Sequence, residues 1–168
     1  MRAIVCGLVA LAVTTSGPAA ATPSPLINRN PPPAEVANLK LPAGRLWAVS
    51  KGASSVAFVS LDQVQRTPTV VTAVVYWVYD PPIHSGEVTA NQLVIRARLN
   101  CIDKSYQQLA AQAFDGDGDL QMWMVTEAPE RSSKYDPLIA HLCDQVPPNR
   151  VYNGHAAALS AASAILHP

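Results

Sequence analysis

The sequence predicts an α+β fold: an antiparallel meander of about six strands, one or two C-terminal helices packed on it, and one disulfide. Three observations carry this expectation. Between Leu46 and Thr126 apolar residues recur with period two in short runs rich in Val, Tyr and Trp. The connections between those runs are too short for the crossover helix that a parallel pair requires. After Pro137 the period changes, and Leu138 with Leu142 and Ile139 with Cys143 form i,i+4 pairs on one side of a helix.

The segment before the strands divides in two. Residues 1–21 read as a secretory signal, with Arg2 near the start, an apolar run from Ala3 to Val13, and Ala19 and Ala21 meeting the A-x-A cleavage rule. Cys6 lies inside that run, so it is lost with the signal and cannot serve as a lipoprotein cysteine. Cleavage leaves about 147 of 168 residues, enough for one domain with its own core. Residues 22–44 form a leader carrying Pro23, Pro25, Pro31, Pro32, Pro33 and Pro42, too poor in large apolar side chains to offset its ordering entropy. A short amphipathic turn is expected within it, around Ala34 to Leu39. Residues 45–168 are the single α+β domain.

The strands follow in order. Residues 46–50 form a short first strand, and residues 54–61 alternate Val56 and Phe58 with Ala57, Val59 and Leu61. Residues 69–79 (TVVTAVVYWVY) are apolar on both faces: Val70, Val74, Tyr76 and Val78 on one, Val71, Val75, Trp77 and Tyr79 on the other. Such a strand is central and needs cover on each side. Asp80-Pro81-Pro82 should end it, because proline cannot donate to a ladder. Residues 93–101 place Leu93, Ile95, Ala97, Leu99 and Cys101 inward and Arg96, Arg98 and Asn100 outward. Residues 106–114 and 120–126 flank Asp115-Gly116-Asp117-Gly118-Asp119, whose glycines suit a tight hairpin.

Two helices complete the pattern. Asp136 reads as an N-cap with Pro137 at the first helical position, and Pro147-Pro148 stop that helix. Asn153 is the expected cap of an alanine-rich helix over residues 154–166, anchored by Leu159, Ile165 and Leu166. Export leaves Cys101 and Cys143 as an even pair in an oxidising compartment, where a bridge persists. The competing readings are two free buried thiols or a metal pair. The second lacks the three or four ligands a metal requires.

The order of these features resembles the surface-adhesin protein E-like domain family of bacterial envelope proteins. The resemblance covers about residues 46–143 and rests on the export signal and on Trp47 opening the first strand. It continues through Phe58 and Asp62-Gln63-Val64-Gln65-Arg66, Arg98-Leu99-Asn100-Cys101, the hairpin Phe114-Asp115-Gly116-Asp117-Gly118 and the closing Cys143. It implies a small sheet with helix packed on one face, often dimeric, at the cell envelope.

Candidate chemistry is sparse. Asp115, Asp117 and Asp119 stand at i, i+2, i+4, as at the opening of a calcium loop, but Leu120 takes the glycine position and Thr126 the bidentate glutamate position. A polar hairpin turn accounts for the same residues. The four histidines, His84, His141, His155 and His167, are dispersed, and no G-x-S-x-G or HExxH occurs. Arg96 and Arg98 are expected as solvated charges of a strand face. Tyr76, Trp77, Tyr79 and Trp123 are bulky groups on strands loaded on both faces, and read either as core or as an interface.

Charge excludes one class. Twelve basic against twelve acidic residues argue against a protein that binds nucleic acid through phosphate charge. No apolar run of about 18 residues follows the signal, so no transmembrane segment is expected. The leading expectation is an exported, non-enzymatic envelope protein, secreted or periplasmic, without cofactor, acting through surface recognition and forming a homodimer. The alternatives are an adhesin that binds host or matrix protein, and a periplasmic hydrolase built around His141 or His155.

Overall fold

The computed structural model describes residues 34–125 and 137–168, and every structural statement below concerns these. The expected signal, the leader up to residue 33 and the Asp136 cap lie outside them. Eight antiparallel strands form one sheet: β1 (Arg45–Lys51), β2 (Ser55–Ser60), β3 (Gln65–Arg66), β4 (Val70–Ser85), β5 (Val88–Asn100), β6 (Ser105–Phe114), β7 (Leu120–Val125) and β8 (Val151–Asn153). The spatial order is β7-β6-β5-β4-β2-β1-β8, so the strands expected from the sequence are neighbours in chain order. β3 lies beyond a 3-10 turn, Leu61–Gln63, and pairs with β4 next to the β2 ladder. One interrupted edge of chain thus runs along β4.

The alternation along β4 generates two cores. Val74, Tyr76 and Val78 meet Leu46, Val56, Phe58 and Val94 on the first face. Val71, Ala73 and Val75 meet Trp47, Val49, Ala57, Val59 and Leu99 on the second. Each face has its own helical cover. Helix α1 (Ala34–Ala37) and helix α3 (Gly154–Leu166) lie on the first face, where Val36, Ala158 and Ala162 are fully buried. Helix α2 (Pro137–Cys143) lies on the second and buries Leu138, Ile139 and Leu142. The two C-terminal helices therefore sit on opposite sides of the sheet, and each face has cover from the chain itself.

The alanine-rich helix packs through its small residues. Ala158 and Ala162 are the fully buried i,i+4 pair, while Leu159, Ile165 and Leu166, expected as anchors, are only partly buried at the rim. Its start also differs from expectation, because Asn153 makes no side-chain capping bond. The first helical amides bond instead to the chain ahead of β1: Gly154 N donates to Gly44 O and His155 N to Pro42 O, each at 2.8 Å. Gly154 has φ +76°, where a side chain is strained, which suits the abrupt turn from β8 into α3.

Leu39 and Val36 are buried at 1 % and 0 % exposure, so packing begins upstream of the boundary expected at residue 45. The amphipathic turn around Ala34 to Leu39 is the reason. β4 also continues past Asp80-Pro81-Pro82, where the sequence placed its end. The ladder with β5 is interrupted between Val78 and Ile83 and resumes through Ile83, His84 and Ser85. The prolines occupy the irregular stretch, where no ladder amide is needed. The outward row of β5 is a solvent row only toward its end: Arg98 is exposed as expected and Asn100 half-buried, whereas Arg96 is half-buried and Gln92 and Val94 before it are buried, because the first face is covered too.

A polar strand through the first core ties the hairpins together. The Tyr76 hydroxyl donates to Gln92 Oε1 at 2.7 Å, and Gln92 Nε2 donates to Asp115 O at 2.7 Å. Burial pushes the Tyr76 phenol well above the ordinary tyrosine range. At the start of β1 the Asp62 carboxylate accepts from the Arg45 amide at 2.8 Å and from its guanidinium at 2.9 and 2.7 Å. A Cβ on Gly44 would run into the Asp62 carboxylate and displace it from its Arg45 contacts.

Two outcomes follow from these contacts. The Arg45 amide, then its guanidinium, hold the Asp62 carboxyl below its ordinary value of 3.8. The stability it contributes is present above that pH and is lost as pH falls through the lower folded value. Asp62→Asn should therefore lower stability at neutral pH, where the contribution is fully present, and the gap to the parent should close as pH falls through the folded value; a stability curve identical to the parent's at every pH would show that the contact is idle. Tyr76→Phe leaves the buried Gln92 Oε1 without its donor and should cost about 1–3 kcal/mol in urea unfolding, with an unchanged m-value. An unaltered midpoint would count against the buried network.

Candidate functional site

The second face is organised by the Cys101–Cys143 disulfide, with Cα atoms 5.3 Å apart. Cys101 follows the last residue of β5, and Cys143 ends α2, so the bridge fixes a seven-residue helix on the sheet. Two further contacts hold the same end. Arg66 Nη1 donates to Leu142 O, which occupies an otherwise open helix-terminal carbonyl, and Lys104 pairs with Asp144 at 3.3 Å.

Beyond α2 the chain passes around the edge of the sheet and leaves a cleft there. β8 pairs with β1 only at Arg45, Leu46 and Trp47, and Pro147 and Pro148 lie upstream, where a continuing strand would need donors. The outer edge of β1 from Ala48 to Lys51 therefore has no strand partner among the described residues. A cavity of about 330 Å³ lies along this edge, between Trp47, His141, Val146 and Pro147 on one side and Ile165 of α3 on the other. The His141 ring meets Trp47 edge-on at 4.7 Å, and its Nδ1 is enclosed without a hydrogen-bond partner.

The four aromatic residues singled out in the sequence divide between the faces. Tyr76 is fully buried in the first core, and Trp123 packs against that core from β7. Trp77 and Tyr79 lie on the second face, stacked at 6.2 Å and 21°, and burial raises the Tyr79 phenol. Ladder partners of the same face extend their row across the sheet: Leu93 opposite Trp77, Ala113 opposite Leu93, and Met122 opposite Ala113. All but Ala113 are half-buried.

The acidic triplet is brought together as a turn. Asp115 Oδ1 accepts from the amides of Asp117 and Asp119 at 3.1 and 2.9 Å, and Oδ2 accepts from Gln121 Nε2 at 2.6 Å. One carboxylate thus orders the whole connection between β6 and β7, a use of aspartate that the turn preferences of the sequence already express. Gly118, at φ +89°, supplies the left-handed position.

The histidines stay apart. His84 shares a hydrogen bond with Thr89 at 2.9 Å on the distal part of the β4–β5 hairpin, and His167 reaches Asp80 at 3.0 Å. His155 opens α3. Only His141 lines the cleft, and sequence reasoning placed it on a helix beside Cys143 without its Trp47 contact. The open edge of β1 had one sequence signal, the Pro147-Pro148 pair just ahead of Val151. Comparison of the chain with protein-family models, with curated proteins and with solved structures finds no match in any of the three. Function is therefore read from residues and geometry.

Removing the Asp115 carboxylate takes the intramolecular acceptor from two exposed backbone amides and leaves Gln121 Nε2 only Asp119 O at 3.3 Å. Asp115→Ala should cost about 1–3 kcal/mol, and hydrogen exchange should quicken first at Asp117, Asp119 and the β7 amides. Exchange that quickens uniformly over the whole sheet would contradict a local ordering role.

Proposed function

We propose that the protein is an exported, non-enzymatic envelope protein, secreted or periplasmic, that acts by recognising another protein at its surface. The observation that carries this reading is the cleft at the edge of β1. It joins backbone groups without a strand partner to apolar walls, a combination the fold itself leaves unused. A surface of that composition suits a protein partner better than a solvated strand edge does, since natural edges are ordinarily blunted or covered. Export is supported by the signal-like residues 1–21 and by the disulfide, which persists in oxidising compartments. Among the described residues no helix is long and apolar enough to cross a membrane.

The resemblance to surface-adhesin protein E-like domains agrees with an envelope role and adds the narrower reading of an adhesin toward host or matrix protein. A homodimer is the second reading, favoured by the half-buried row of Trp77, Leu93 and Met122 on the second face. Sedimentation at micromolar concentration separates it, with a strict monomer ending the dimer.

Site-specific crosslinking tests the recognition reading. A photoreactive phenylalanine at Val146, which is 41 % exposed on the cleft wall, should yield a discrete heavier adduct in the cells that make the protein. The same group at Ile83, on the distal hairpin, should not. Equal labelling at both positions, or none at either, contradicts the proposal. N-terminal sequencing of the mature protein should begin at Thr22, and a soluble protein starting at Met1 refutes export.

A further inference from the structure

We infer that the edge of β1 binds an extended peptide segment by strand addition, the segment continuing past Trp47 the ladder that β8 begins. The inference rests on the recognition reading and names its site and partner class. β1 is seven residues long, and β8 occupies only its first part. By the β1–β8 register Arg150 and Asn149 would follow opposite Ala48 and Val49, and Pro148 and Pro147, which have no amide to donate, opposite Ser50 and Lys51; none of the four pairs with β1. Between Ala48 and Lys51 the described chain thus offers β1 no ladder partner, and Val146, Pro147 and Asn149 line the cleft beside it.

The walls select what can lie there. Val146 and Pro147 on one side and Ile165 on the other flank the edge, so alternate side chains of an added strand meet apolar surface above and below. Main-chain pairing supplies affinity in this mode, and the flanking pockets supply preference for side chains. His141 adds one polar contact. Its imidazole is a hydrogen-bonding ring on the cleft wall, with Nδ1 enclosed and without a partner, and can meet a backbone group of the segment. The cavity of about 330 Å³ suits a few extended residues. The ligand class is thus an extended, β-branched or apolar peptide stretch, free of proline at the pairing positions.

The probe is a random dodecapeptide library displayed on phage and selected on the full-length mature protein. Selected peptides, made synthetically, should be rich in Val, Ile and Thr. On binding they should slow hydrogen exchange at least tenfold at outward amides between Ala48 and Lys51. Val146→Asp alters an exposed wall residue and should weaken binding at least tenfold while leaving the unfolding midpoint unchanged. His141→Gln, which keeps a hydrogen-bonding group, should weaken it less than His141→Leu. Peptides that bind with no change in exchange at Ala48 to Lys51, or that lose affinity in Trp77→Ala and not in Val146→Asp, overturn the site while leaving recognition standing. A library that yields no enriched peptide overturns the site as well. The crosslinking experiment at Val146 then decides the recognition reading separately.

Discussion

The sequence of β4 is apolar on both faces, and most of the architecture answers that constraint. A single sheet with two greasy sides must be covered twice: α1 and α3 share the first face, and α2 alone covers the second. Helix α3 meets the first requirement through Ala158 and Ala162, whose small side chains allow close approach to the sheet. Helix α2 meets the second with Leu138, Ile139 and Leu142. A helix of seven residues has little stability of its own, since isolated helices below about 12–15 residues are marginal in water. Covalent attachment through Cys143, the Arg66 contact to Leu142 O and the burial of three aliphatic side chains replace what length does not provide. Closing a chain separation of 42 residues is worth about 4 kcal/mol in the loop-entropy account, comparable to a large part of a domain's net stability.

The route of the chain between the two covers creates the cleft. α2 ends on one side of the sheet and α3 starts on the other, so residues 144–150 must round the edge at β1. Pro147 and Pro148 carry the chain round without pairing, and β8 pairs only over three residues before α3 begins. The open edge of β1 is thus a by-product of covering both faces. Its walls come from α2, the connection and α3 together. Fold and candidate site share one cause.

Most of this architecture was legible in the sequence where the signal was periodic. The period-two runs located β1, β2, β4, β5, β6 and β7, and the Tyr76 and Trp77 alternation assigned them to opposite faces. The i,i+4 pairs around Leu138 and Leu142 located α2 and turned Cys143 toward Cys101. What escaped was short or non-local. β3 and β8 hold two and three residues, too few for any period to register, and exist because β4 and β1 offer them ladders. The capping of α3 by Gly44 O and Pro42 O joins residues far apart in sequence, which no local rule anticipates. The continuation of β4 past its prolines follows from β5 holding the far end of the hairpin. Of the site, His141 was visible only as a helix residue, because its partner Trp47 lies on a distant strand.

The central claim is that the disulfide holds α2 as the cover of one face and leaves the other face independent of it. Methyl-resolved NMR on the full-length mature protein, before and after reduction by a dithiol, tests this directly. The account predicts that shifts concentrate on Val71, Val75, Leu99, Leu138, Ile139 and Leu142, while Val56, Val74 and Val94 on the opposite face hold their positions. Shifts of equal size on both faces, or none on the α2 face, would contradict it.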